Sequence, residues 1–149
     1  MIKLVISPEY FGNNDSKSSI RTQLKGLGAY NIEIDEATGF VTAVMTLENY
    51  EKFVDNLRMR IENTADEIVN KYDEVKSINY NGDYTVFNIV ISGLNKRKMK
   101  SVVFELLMVS ATYQVISGIP QNETSIRVNF YNKDNKLVEV MDTVGNKGE

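Results

Sequence analysis

Residues 47–72 read LENYEKFVDNLRMRIENTADEIVNKY, and the fold is decided by how this stretch is read. Leu47, Tyr50, Val54, Leu57, Ile61, Ala65, Ile68 and Tyr72 recur every three or four positions. Charged residues such as Glu48, Glu51, Lys52, Asp55, Arg58, Glu62, Asp66, Glu67 and Lys71 stand between them. One apolar stripe and one solvated face predict an amphipathic helix of about seven turns at 3.6 residues each. Thr46 precedes it and is expected to cap it. A single apolar stripe needs a surface to bury it against, and the flanking sequence supplies strands.

On the N-terminal side, Tyr30, Ile32 and Ile34 alternate with Asn31, Glu33 and Asp35, and Phe40, Val41, Val44 and Met45 return after Glu36-Ala37-Thr38-Gly39. Gly39 stands where a type I turn with a bulge needs positive φ, so this is a hairpin. On the C-terminal side, Val75 to Tyr80 and Tyr84 to Ile91 flank Asn81-Gly82, the dipeptide that most often turns a short hairpin. Gly93 and Asn95 then open a second helix, from about Lys96 to Ser117. Its apolar residues cover most of the circumference, so it is expected to be buried on most sides, inside the domain or against another copy. Gly118 and Pro120 end it. A third hairpin runs through Ser125 to Phe130 and Lys136 to Met141, turning at Asn132-Lys133-Asp134-Asn135.

The order is hairpin, helix, hairpin, helix, hairpin. It predicts the α+β class: an antiparallel sheet built from hairpins, with two long helices packed on one face in a ββαββαββ-like order. Residues 2–6 add a short strand. The segment near 7–29 is rich in Gly, Asn and Ser and reads as loop, with a short helix around Ser19 to Leu24. The polar tail 143–149 is expected to fray. With 149 residues, the chain is read as a single domain, 1–149.

Composition narrows the chemistry. The chain contains neither cysteine nor histidine. Thiolate and imidazole metal sites, cysteine nucleophiles, Ser-His-Asp triads and histidine general bases are therefore excluded together. A calcium loop needs a D-x-[DN]-x-[DN]-G pattern with a later glutamate, and neither Asn81-Gly82-Asp83 nor Asp134-Asn135 supplies one. Gly26-Leu27-Gly28 lacks the third glycine of a dinucleotide loop. The reading is of a non-enzyme with no catalytic residues, no metal and no cofactor. The net charge of −3 offers no general attraction for phosphate backbones or anionic membranes. The apolar run Val102 to Ile116 is interrupted by Glu105, Ser110, Thr112 and Gln114, and the N-terminus has no signal-peptide core. No membrane partner and a cytoplasmic location are expected.

Two groups of residues stand out. Lys96, Arg97, Lys98 and Lys100 concentrate positive charge at the start of the second helix. They read either as a nucleic-acid contact patch or as a solvated first turn, and the solvated turn is preferred. Val103, Phe104, Leu107 and Met108 carry more apolar surface than one sheet face absorbs, which nominates them for a self-association or partner interface. Glu105 interrupts the same run and is placed on an exposed strip with Ser101 and Thr112. The strand aromatics Tyr30, Phe40, Tyr80, Tyr84, Phe87, Phe130 and Tyr131 read as core and cross-strand packing rather than a base-stacking platform. The functional expectation is a protein-interaction module, homo-oligomeric or bound to a protein partner, of the kind found among mobile-element accessories, inhibitors and assembly proteins. The alternative is a nucleic-acid-binding accessory protein using the basic cluster.

Overall fold

The computed structural model describes residues 1–6, 8, 11, 16–119 and 121–144. They group into two compact units, Met1–Asn56 and Leu57–Glu149.

The first unit holds β1 (Ile2–Ile6), α1 (Lys17–Gly26), β2 (Tyr30–Ile34), β3 (Val41–Met45) and the beginning of α2 (Leu47–Lys71). Its antiparallel sheet has the order β1-β3-β2. Leu4, Ile6, Leu24, Ile32, Val41, Ala43 and Met45 form the core. The hairpin turn is as expected, with Gly39 at φ 79°. Asp35 closes it, its carbonyl accepting from Gly39 N at 2.8 Å and its N–H donating to the Phe40 carbonyl at 2.9 Å. Thr46 caps α2 by accepting from Asn49 N at 3.2 Å.

Within the segment read as loop-rich, 7–29, the short helix expected around Ser19 to Leu24 is present and longer, Lys17–Gly26. α1 is capped by Ser16, which accepts from Ser19 N at 3.1 Å, and it buries only Ile20 and Leu24. Two apolar residues one turn apart make a stripe so narrow that the polar, turn-forming composition hides its full length. Gly28 lets the chain leave α1 at φ 87°, and a Cβ there would fall 2.3 Å from Asn49 Nδ2, so glycine is required. Positions 7, 9, 10 and 12–15 of that segment lie outside the described residues.

The second unit holds α2 from Leu57 onward, β4 (Val75–Tyr80), β5 (Val86–Ile91), α3 (Lys96–Ile116), a 3₁₀ turn (Gln121–Glu123), β6 (Ser125–Tyr131) and β7 (Leu137–Val144). The sheet order is β4-β5-β6-β7. The α+β class, the order of hairpins and the two long helices packed on a sheet are as the sequence predicts. Two finer features differ. The strands divide over two sheets, because β1 joins β3 and completes the first one. And β5 pairs with β6 in parallel, because α3 carries the chain back across the sheet between them, as parallel neighbours require.

The Asn81-Gly82 turn is wider than the dipeptide suggests. The positive φ, 56°, falls at Tyr84, and Asn81 Oδ1 accepts from Thr85 N at 2.9 Å and Val86 N at 3.1 Å. β5 therefore starts at Val86. Tyr84 is buried, with its ring centroid 5.3 Å from Tyr80 and 5.2 Å from Tyr113, and this packing overrides the local turn preference. The third hairpin turns at Asn132 to Asn135 as expected, with Asn135 at φ 61°. Thr143 and Val144, expected in a frayed tail, pair with Ile126 and Ser125 as the end of β7. Residues 145–149 lie outside the described residues.

α3 is 21 residues long and apolar enough by length and composition alone to cross a membrane. Here it serves as a core helix. Met99, Val102, Val103, Leu106, Tyr113 and Ile116 are buried, as are Phe87, Ile89, Val128 and Phe130 of the sheet. Its two interior polar residues are satisfied. Ser110 donates to the Tyr84 carbonyl. Gln114 donates to Ser110 Oγ at 3.0 Å and to the Ser125 carbonyl at 2.9 Å, and accepts from Ser125 N at 3.1 Å. That side-chain amide bonds the β6 backbone much as a neighbouring strand would, and it fixes α3 over the sheet.

Candidate functional site

Because β6 alternates buried Ile126, Val128 and Phe130 with Arg127, Asn129 and Tyr131, its register also fixes the faces of β7. Thr143, Met141 and Glu139 sit opposite the three buried residues, on the α3 side of the sheet. A groove of about 490 Å³ runs between them and α3. Its helix wall is Lys96, Lys100, Val103, Phe104 and Leu107, and its other wall is the stretch 139–143 of β7.

Both groups nominated from the sequence contribute to this groove. Of the basic cluster, Lys96 and Lys100 line it, and Lys96 Nζ lies 3.5 Å from Glu139 Oε1 on the opposite wall. Arg97 is exposed outside the lining. Lys98 turns to Glu74, with 2.5 Å between Nζ and Oε2. That hydrogen bond holds the Glu74 carboxyl below its ordinary range and the Lys98 ammonium above its own. Of the apolar group, Val103 is seated in the core at 7% exposure and reaches the groove only at its edge. Leu107 is half-buried, while Phe104 and Met108 are 58% and 52% exposed. Met108 is beyond the lining.

Sequence reasoning placed a strand over Lys136 to Met141, which is β7, but missed its part in the site. It is the outermost strand of its sheet, with no neighbour beyond it among the described residues. Leu137, Val138 and Val140 are 53%, 48% and 39% exposed. The signal was in the run Leu137-Val138-Glu139-Val140-Met141, which is apolar at both alternating phases and so cannot bury all its side chains on one face. The backbone of the strand is half-used. Arg127 N donates to the Thr85 carbonyl at 2.8 Å, so odd-numbered β6 residues bond β5 and even-numbered ones bond β7. With Val128 opposite Met141, residues 139, 141 and 143 carry the β6 ladder. The N–H and C=O groups of Val140 and Asp142 point the other way, off the edge.

Elsewhere the chemistry is structural. Glu105, expected on an exposed strip, is half-buried and lies 3.5 Å from Lys71 Nζ. Tyr84 donates to Glu62 Oε2 at 3.1 Å, and burial together with that carboxylate pushes its phenol up to about 12. Phe87 and Phe130 are fully buried, so they offer no stacking surface. Among the described residues no three carboxylates converge to hold a metal ion. Comparison with known proteins leaves the geometry to speak alone: no family model, no curated protein and no solved structure matches this chain.

Proposed function

We propose that this protein is a non-enzymatic interaction module, working in the cytoplasm, that docks a polypeptide strand along β7 and over the α3–β7 groove. The observation that carries the reading is the β7 edge: backbone groups of Val140 and Asp142 point off the sheet, and apolar side chains flank them on the strand and on α3. Exposed edges of this kind are templates for strand addition, in which the main chain supplies affinity and side-chain pockets supply selectivity. Catalysis has little to work with at this site, whose charged groups are Lys96, Lys100, Glu139 and Asp142, with Glu139 paired to Lys96 and Asp142 to Arg127. The nucleic-acid alternative draws less support, since Lys96 and Lys98 each face a carboxylate.

A photoreactive phenylalanine analogue placed at Phe104 tests the reading in host extract. A discrete polypeptide adduct is expected, and Val140→Lys should abolish it. Adducts to nucleic acid, lost when Arg97 and Lys100 are reversed to Glu, would replace this reading with the alternative.

A further inference from the structure

The docking reading leaves the occupant open, and the inference here rests on that reading. We propose that the strand added to β7 is the β7 of a second copy of this chain, paired antiparallel about a two-fold axis at Met141.

Three observations favour a second copy. The first is where apolar surface is left. Of six large apolar side chains exposed among the described residues of the second unit, five lie on α3 or β7: Phe104, Met108, Leu137, Val138 and Val140. They flank the β7 edge on both faces, Phe104 and Met108 on α3, and Leu137 and Val140, opposite Tyr131 and Asn129, on the other face. A two-fold axis through β7 sets each face beside its own copy, as an isologous interface requires. The second is charge register. With the axis at Met141, Glu139 faces the partner's Thr143 and Val140 faces the partner's Asp142. An axis at Glu139 or at Asp142 would set carboxylate against carboxylate. An axis at Val140 would carry the pairing into the irregular step between Phe130↔Glu139 and Tyr131↔Leu137. Each carboxylate also brings its own counter-charge, Lys96 at 3.5 Å from Glu139 and Arg127 at 2.7 Å from Asp142.

The third is the backbone. Val140 and Asp142 are the residues whose N–H and C=O groups leave the edge, and this axis pairs them with each other. Met141 then opposes the partner's Met141 as a non-hydrogen-bonded pair, with Cα atoms about 4.5 Å apart. The two four-stranded sheets become one continuous sheet, with both copies of α3 on the same face and the two grooves joined.

The absence of cysteine makes the test clean, because one introduced thiol reports alone. Met141→Cys should give a disulfide-linked dimer under mild oxidation, since opposed residues at that spacing fit a disulfide. Met59→Cys, on an exposed position of α2, should give no disulfide-linked dimer. The unmodified protein should sediment as a dimer at high micromolar concentration. Val140→Pro should make it a monomer with an unchanged far-UV spectrum, because the N–H it removes is outside the β6 ladder, and Val140→Lys should do the same should proline disturb the strand. A monomeric parent protein, with Met141→Cys linking no faster than Met59→Cys, overturns the proposal. In that event an adduct from position 104 to a different polypeptide keeps the docking reading and rejects the second copy. No polypeptide adduct at all rejects both.

Discussion

β4 bounds one side of the four-stranded sheet with six residues, and β7 bounds the other with eight. β4 carries a register shift between Val75 and Ser77, and Lys76 and Asn79 are exposed on it. A bulge and a lysine are the usual devices that stop an edge from recruiting another strand. β7 has a register shift as well, at Val138, but it pairs regularly from Glu139 to Val144. It has no lysine and leaves three large aliphatic side chains in water. The same sheet is thus closed at one side and open at the other, although both strands are rich in aliphatic residues. What distinguishes them is which backbone groups are left over and what side chains surround them.

The heaviest blow to this contrast would fall beneath β7. Phe130 is fully buried in β6, directly behind the open edge. Phe130→Ala should cost about 4 kcal/mol in chemical denaturation through lost burial and the cavity left behind. Hydrogen exchange should show β7 losing protection before β4. Equal loss in both strands would mean the two edges are energetically one.

Next comes the amide that ties α3 to β6. Gln114→Leu leaves the Ser125 N–H and carbonyl without their partner, at about 2 kcal/mol. The same denaturation series measures it, and the groove should widen, weakening any adduct formed at position 104. An unaltered adduct would show that groove shape does not govern docking.

The β4 side can be probed through its adjoining turn. Tyr84 has its phenol pushed up to about 12 from an ordinary 10. The native state therefore holds a proton that the unfolded chain releases first. The associated stability is present below pH 10 and is lost as pH rises from about 10 through about 12. Denaturation midpoints across that window should fall, and Tyr84→Phe should flatten the decline. A parent protein with no alkaline decline beyond that of the variant would remove Tyr84 from the account.

The smallest energetic effects come from exchanging the edge devices. Lys76→Val and Val140→Lys should each change stability by no more than about 0.5 kcal/mol, as exposed positions usually do. Their association should nonetheless diverge, measured by sedimentation. Val140→Lys closes the β7 edge, while Lys76→Val leaves a bulged β4 that still recruits nothing. Association through β4 in the Lys76→Val variant would show that charge, not the bulge, protects that side.

Local sequence determined much of this protein. The spacing from Leu47 to Tyr72, the Thr46 cap, Gly39, Asn95 and the Asn132 turn set the elements, because helix stripes, caps and tight turns are decided within a few residues. The lack of cysteine and histidine settled which site chemistries were excluded, since those atoms are simply not in the chain. The sequence also nominated Lys96, Lys100, Phe104 and Leu107, without revealing that they share a groove. Tertiary structure decided the parallel β5–β6 pairing, the displacement of the positive φ to Tyr84, and the position of β7 at an edge. Each depends on which distant segment lies alongside, and a strand reads alike in sequence whether one neighbour bonds it or two.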